Sequence, residues 1–477
     1  MTFQKRQINK IPKVKLRDNK WDKAEKWARG HILISILLIV LGALTLKGVV
    51  GALNAGAPFS VKQIVLSAVT QEIQTDRYGH TNILLLGVGG EGHDGENLTD
   101  TMILASIDQK NKLVPMLSIP RDLYVEPEEL GWGTRINGVY QFILDETEDP
   151  EHAMDVLVEE VEKVTGIEIQ YYAKVDFQGF VDVVDALGGV EVNLEESIYD
   201  PYYPSYPESL GGYETFYLEA GPQTLDGNTA LKYVRSRKTT SDFDRARRQQ
   251  EVIASVKDKA TSLGILLNPG KLKNLFDAVS NNLETDLSWS EIIYLAGLAD
   301  RFGTDAVLTE VLNDAANMPG GMLYTPEREY YGGAFVLIPY VSDFSEIHEF
   351  THLFLYNPTI YLEDTSIQIL NGTKIEGLAG MIKMQLVRYG FNVVHFGNAA
   401  NELPEKTTIF ANRELTKVGE ETMQALTTVI PAEILPEPPP EYTLENFDTD
   451  ASIIIEIGQD FVDFYNENED HFYFGFF

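Results

Sequence analysis

Hydrophobic positions along this chain fall into two periods, and the switches between them mark its elements. Ile83-Leu84-Leu85-Leu86-Gly87-Val88 is an unbroken apolar run closed by glycine, which predicts a buried strand. The next stretch, Gly89-Gly90-Glu91-Gly92-His93-Asp94-Gly95, has no apolar side chain and reads as a loop. Met102 to Asp108 and Leu113 to Ile119 are two more strand-like runs, separated by the polar turn Gln109-Lys110-Asn111-Lys112. Together they predict a hairpin. If Asp108 faces Leu113, paired numbers sum to about 221, and Asp100 falls opposite Arg121 at the open end.

Helical spacing takes over at Pro150 to Thr165, with Ala153, Val156, Leu157, Val161 and Val164 on one side and Gly166 as the stop. Tyr171 to Val175 predicts a strand, and Phe177 to Leu187 a short helix burying Phe180, Val183, Val184 and Leu187. Gly188-Gly189 ends that helix, and Val190 to Val192 begins another strand. Asp176, Asp182 and Asp185 read as its solvated face. Ser197 to Gly212, dense in tyrosine and proline, reads as a loop: either folded over, or an aromatic platform for sugar rings. Tyr233 to Arg237 alternates, which predicts a strand with Tyr233, Arg235 and Arg237 on one face. Ser241 and Asp244 form a capping box for a helix starting near Asp242. Arg245 and Arg248 lie one turn apart on it. A cation in the first turn of a helix opposes the macrodipole, and an anion bound there by free N–H groups and guanidinium would account for it.

Lys257 to Arg301 reads as helical with a break at Asn268-Pro269-Gly270, and Glu310 to Tyr340 as irregular. A new unit starts beyond Tyr356. Ser366 to Leu370 and Phe391 to Phe396 are strands around a helix over Ile375 to Tyr389, a βαβ pattern, and Ser452 to Ile457 adds a late strand. Alternating strands and helices throughout predict an α/β fold, with a central mixed sheet sandwiched by helices followed by a small α/β domain.

Charge changes the picture at the N-terminus. The formal net charge is −34, yet residues 1–30 carry roughly +7. Ile32 to Leu46 is almost wholly apolar directly after that basic block, and the stretch extends to Leu53. Its length predicts one transmembrane signal anchor, and the basic flank places the N-terminus in the cytoplasm. A cleaved signal peptide competes, with Ala55-Gly56-Ala57 as the cut, but the basic region is too long for a usual n-region and Pro58 would follow the cut. The acidic bulk is then expected outside the cytoplasm, on a single-pass protein of the cell membrane. The acidity excludes general nucleic-acid binding. With no cysteine in 477 residues, any metal must sit on oxygen or histidine.

An acid to hold a divalent cation and arginines to hold phosphate are the parts a phosphoryl-transfer site needs, and two clusters supply them. The first is the mouth of the hairpin, with Asp100 and Arg121. The second is Arg235-x-Arg237 followed by Arg245 and Arg248.

In these residues the chain resembles the LytR-CpsA-Psr cell-wall proteins. The resemblance lies in Leu84 to Gly87, Thr99 to Met102 and Ser118 to Asp122, and in Asn137 with Tyr140. Val175 to Val192 and the R-x-R…D-x-x-R-x-x-R-Q pattern carry it further, and Ile369-Leu370-Asn371-Gly372 resembles the C-terminal domain of LytR-type proteins. It implies a phosphotransferase that moves a glycopolymer from a polyprenyl-pyrophosphate carrier to peptidoglycan. A polyprenyl-pyrophosphate hydrolase and a non-catalytic wall-binding or regulatory protein are the alternatives. In the implied site Asp100 holds Mg²⁺ or another divalent cation such as Mn²⁺. Arg121, Arg235, Arg237, Arg245, Arg248 and Gln249 bind the pyrophosphate. Asp242 orients Arg245 or accepts the hydroxyl proton.

Two family positions differ, because Gly89 and Leu98 stand where an Asp and an Arg are common. Asp94 is the acid expected to replace the first, as a second metal ligand; the plainer reading makes His93-Asp94-Gly95 a solvent-facing turn. The expected organisation is a basic cytoplasmic segment (1–30), the anchor (31–53), a stalk (54–77), a catalytic domain (78–345), a linker (346–362), the LytR-type domain (363–462) and an acidic aromatic tail (463–477).

Overall fold

A computed structural model describes residues 73–467 except 94, 195, 206–211, 363–364, 401–402 and 443–446; within 237–306 it describes 248, 252, 255, 259, 281–288, 291, 294, 295, 298 and 302. The expected anchor (31–53) and the site candidates Asp94, Arg237, Asp242, Arg245 and Gln249 lie outside the described residues. Among the described residues no helix is long and apolar enough to cross a membrane.

The unbroken apolar runs become the middle of a six-stranded mixed sheet. Its strands are β1 (Thr81–Val88), β2 (Thr101–Ile107), β3 (Val114–Ile119), β4 (Tyr171–Asp176), β5 (Leu283–Thr285) and β6 (Val307–Val311). They lie in the order β5-β4-β1-β2-β3-β6. β1–β2, β2–β3 and β4–β5 are antiparallel; β1–β4 and β3–β6 are parallel. Both faces of the central strands are buried, which explains why they read as continuous rather than alternating hydrophobic runs.

Helices cover each face. Leu84, Leu86, Met102, Leu104 and Leu117 pack under α1 (Val139–Thr147) and α2 (Pro150–Thr165). Ile83, Leu85, Ile103, Ala105 and Met116 pack under α3 (Phe177–Ala186) and α4 (Gly227–Arg235). The boundaries of α2 have local causes. Asp149 caps its N-terminus by accepting from the N–H groups of Glu151 and His152, Pro150 occupies its first turn, and Gly166 leaves it at φ +70°.

The last part of the chain forms a five-stranded sheet from β7 (Ile367–Asn371), β8 (Val393–Asn398), β9 (Thr408–Ala411), β10 (Glu433–Ile434) and β11 (Ile453–Ile457), in the order β8-β7-β11-β9-β10. The predicted βαβ unit is there, with α6 (Leu378–Arg388) between its parallel strands. The segment expected to be a linker is not one. Residues 346–362 hold most of a helix, α5 (Ser345–Tyr356), whose Ile347, Phe350, Leu353, Phe354 and Leu355 are buried. These side chains belong to one continuous core that runs from Leu84 and Leu157 through α5 to Ile369, Tyr389 and Ile455.

One buried ion pair lies in that join. Arg388 of α6 donates to both Glu346 oxygens, Nη1 to Oε1 at 2.9 Å and Nη2 to Oε2 at 2.6 Å, and its Nε donates to the Gly321 carbonyl at 2.7 Å. The two side chains are 0% and 2% exposed.

Candidate active site

The hairpin has the register its turn dictates. Asp108 bridges Leu113, Met102 pairs with Ile119 and Ile103 with Ser118, so Asp100 and Arg121 flank the open end. Arg121 Nη1 donates to Asp100 Oδ1 at 3.1 Å, and its Nε lies 3.4 Å from Asp122 Oδ2. Asp122 also accepts from Arg135 Nη1 at 3.1 Å. Burial works against the charge on Arg121, but the carboxylates of Asp100 and Asp122 outweigh it and hold the guanidinium above its ordinary pKa. It is therefore a permanent, half-buried cation at the mouth of the hairpin.

Asn137 completes the triad. Its Nδ2 donates to Asp100 Oδ1 at 2.9 Å, its N–H to the Arg121 carbonyl, and its carbonyl accepts from the Thr99 N–H at 3.0 Å. The residue stands in the single turn before α1, so the helix start, the loop end and the hairpin mouth are tied together. The sequence marked Asn137 only through its match to a family segment, and nothing local assigned it a role. Asp100 Oδ1 is thus used by two donors. The carboxylate remains 43% exposed, and Oδ2 carries no hydrogen bond among the described residues. A hard oxygen in that position suits a small divalent cation that takes its other ligands from phosphate and water. No group of three or more carboxylates and imidazoles that could hold a metal occurs among the described residues.

The register continues sideways. Gly87 faces Thr101, and Val88 lies beside Asp176 in parallel β4, so Asp176, Val88, Asp100 and Arg121 form one row across four strands. Asp176 is more than the solvated residue the sequence indicated. Its Oδ1 caps α3 through the Gly179 N–H at 2.7 Å, and burial raises its pKa above the usual carboxylate value. Its companions are also structural: Asp185 accepts from the Gly227 N–H at 2.7 Å, and Asp182 from Asn282. The glycine loop folds back over the row. Gly90, at φ +80°, comes so close to Asp176 that a Cβ there would lie 2.9 Å from the aspartate Cβ.

Arg235 reaches the same rim by an unexpected route. The segment Tyr233 to Arg237, expected as a strand, is helical as far as Arg235. Asp226 caps α4 through the Thr229 N–H, and Ala230 and Val234 bury its inner side. Tyr233 and Arg235 are therefore separated around a helix rather than aligned. The arginine sits in the last turn, where the helix dipole favours a cation. Its guanidinium lies 4.2 Å from the centre of the Phe177 ring, and Phe177 meets His93 of the glycine loop edge-on at 4.9 Å.

Arg248 has a different task from the pyrophosphate binding expected of it. At 5% exposure, it donates from Nε to the Tyr233 carbonyl at 2.9 Å and from Nη2 to the Ser236 carbonyl, closing the C-terminal end of α4. Of the candidates, then, the structure joins Asp100 to Arg121 directly, places Arg235 on the rim through Phe177, and buries Arg248.

The pattern of the LytR_cpsA_psr family matches residues 56–331, and that of the LytR cell envelope-related transcriptional attenuator matches residues 364–461. The cell wall biosynthesis protein LcpA of Corynebacterium glutamicum is 30% identical over 414 residues, which cover 79% of this chain and 74% of LcpA. The polyisoprenyl-teichoic acid–peptidoglycan teichoic acid transferase TagU of Oceanobacillus iheyensis is 33% identical over 280 residues, 56% of this chain and 78% of that protein. The crystal structure of Bacillus subtilis TagV superposes with a TM-score of 0.43 at 25% identity, over 58% of this chain and 97% of TagV.

Proposed function

Because the chain belongs to the LytR-CpsA-Psr family, we propose that it is a membrane-anchored phosphotransferase that attaches a glycopolymer from a polyprenyl-pyrophosphate carrier to peptidoglycan. The observation that carries the reading is the Asp100–Arg121–Asn137 triad at the mouth of the hairpin, a fixed cation and a half-exposed carboxylate side by side. Teichoic acid transferases among its relatives carry the same kind of substrate in their names.

In this mechanism a sugar hydroxyl of the acceptor attacks the phosphorus that bears the polymer. The bond from that phosphorus to the bridging oxygen breaks, polyprenyl phosphate leaves, and the hydroxyl proton passes to a base or to the departing phosphate. Charge accumulates on the phosphoryl oxygens, and Arg121 supplies a preformed counter-charge. Arg235, Arg237 and Arg245 are assigned to the same task, and Asp242 to orienting Arg245 or taking the proton. Asn137 holds Asp100 in place. A divalent cation, Mg²⁺ or Mn²⁺, bound through Asp100 would neutralise the pyrophosphate oxygens. The anchor at 31–53 keeps the site outside the cytoplasm and near a lipid substrate.

The test uses the full chain in detergent with a purified polyprenyl-pyrophosphate-linked oligosaccharide and peptidoglycan. The expected product is oligosaccharide joined to the acceptor through a phosphodiester. Free sugar phosphate would identify a hydrolase, and no turnover a binding protein. Asp100→Asn should abolish both transfer and its Mg²⁺ dependence. Asp94→Asn should raise the half-saturating Mg²⁺; an unchanged titration would make Asp94 a turn residue.

A further inference from the structure

The triad and its arginines account for the charged donor and leave the acceptor without a seat. A separate hairpin, Ile198–Pro204 against Tyr213–Leu218, stands where the sequence indicated a loop. Its inner face is committed to the protein. Ile198, Tyr203 and Phe216 are buried, and Asp200 accepts from Ser236 Oγ at 2.9 Å. The same face reaches the site, because Arg235 Nη1 donates to the Tyr203 hydroxyl at 3.4 Å while its guanidinium covers Phe177.

The outer face is a set of tyrosines. Tyr199 and Tyr217 are direct cross-strand partners, 53% and 58% exposed. Simple alternation would turn Tyr202 inward and Tyr203 outward. A register shift between Asp200 and Tyr203 reverses this, so Tyr202 (56% exposed) points out and meets Tyr213 (70%) edge-on at 6.2 Å. The two tyrosine pairs lie about 10 Å apart along the strands, the reach of two consecutive sugar rings. Four exposed tyrosines gathered on one sheet face form the kind of patch that marks recognition surfaces.

Charge selects its occupant. Glu196 and Glu219 are exposed near the hairpin's base, and Lys232, one cation near it among the described residues, is paired with Glu214 at 2.6 Å. A phosphate-rich polymer or an anionic bilayer meets repulsion there. A pyranose chain does not: its C–H faces lie on aromatic rings while its hydroxyl edges meet phenol groups and water. We propose that this tyrosine face seats the acceptor, a β-linked chain of N-acetylated amino sugars, on a hairpin whose inner face contacts Arg235. The proposal rests on the transferase reading for its purpose, though the glycan binding it asserts can be measured without turnover.

The experiment titrates the full chain in detergent with a soluble tetramer of β-1,4-linked N-acetylglucosamine, by calorimetry. It compares the wild type with Tyr199→Ala/Tyr217→Ala and, separately, with Tyr213→Ala in case the double variant does not fold. Affinity at least tenfold weaker in a folded variant, with binding of a polyprenyl pyrophosphate unchanged, is the expected result. Equal affinity in wild type and variants overturns the proposal. So does a wild type that ignores the tetramer but binds phosphatidylcholine vesicles through these tyrosines. If donor turnover is absent throughout while tetramer binding still depends on the tyrosines, the docking face stands and the transferase reading falls.

Discussion

Replacing Arg388 with methionine tests whether the C-terminal unit is a passenger or a layer of the catalytic domain. Arg388 is wholly buried and neutralises Glu346, itself 2% exposed, through two hydrogen bonds. Methionine fills similar space but leaves a buried carboxylate without its partner, which costs about 3–5 kcal/mol. The Gly321 carbonyl also loses its donor, for a further ~1–3 kcal/mol. Against a total stability of about 5–15 kcal/mol, that is enough to lower the unfolding midpoint by on the order of 10 °C. The effect should reach the site. Gly320 N–H donates to the Arg388 carbonyl, and further along the same excursion Leu337 N–H donates to the carbonyl of Asp122, next to Arg121. The assay is thermal unfolding of the full chain followed by circular dichroism, beside transfer activity. Arg388→Met/Glu346→Leu, which removes both charges, should recover most of the loss. A single variant that melts with the wild type, or a double variant no better than the single, would show that this ion pair does not tie the C-terminal unit to the catalytic domain. By the same argument a chain ending near Tyr356 strips the cover from Ile347, Phe350 and Phe354 and should aggregate rather than keep basal activity.

Arg121→Ala should keep the fold and lose on the order of 10² to 10⁴ in transfer rate, because it removes a preformed counter-charge; full activity would take Arg121 out of the chemistry. Arg237→Ala should fall in the same range, measured in the same assay. His80 has its pKa lowered by burial, against the opposing pull of Asp108 and Asp76, and His352 is lowered by burial and then by Arg77. The unfolded chain therefore takes up these protons first, so stability is whole above about pH 6.5 and declines as pH falls below it. His80→Gln should flatten that decline in unfolding midpoints, and an unaltered slope would assign it elsewhere. A reporter fused after Phe477 should be active outside the cytoplasm, and cytoplasmic activity alone would remove the anchor.

The readable parts of this sequence were those whose cause is local. A four-residue turn closing Asp108 on Leu113 leaves one register, and that register alone brings Asp100 to Arg121. The Asp149 cap, Pro150 and Gly166 likewise bound α2 to the residue. Where the cause is distant, local pattern misleads. Five alternating residues at Tyr233 look like a strand, but Asp226 had already capped a helix and Arg248, fifteen residues on, closes its far end. Pro201 and Pro204 signalled a loop, yet one lies in the register shift and the other at the strand's end, where proline leaves the ladder intact. Arg388 and Glu346 are 42 positions apart, and no periodicity links them.

The two departures from the family pattern, Gly89 and Leu98, have a shared physical account. An ideal Cβ at Gly89 would lie 3.0 Å from the His93 Cβ, and Gly90 has a positive φ against Asp176, so the loop is folded tightly over the position where an acid is common. Leu98 closes the other end, so near Gly95 that a Cβ there would meet its Cδ1 at 2.4 Å. A packed loop takes a leucine where an extended one could present an arginine. The lost acid and the lost base also cancel in charge, so the balance around Arg121 is kept with fewer groups. What remains in the row is one carboxylate turned to solvent, Asp100, and one turned inward to cap a helix, Asp176. A cation bound through Asp100 would complete its shell with pyrophosphate oxygens, water and, as proposed, Asp94, so metal and pyrophosphate are expected to bind as a unit.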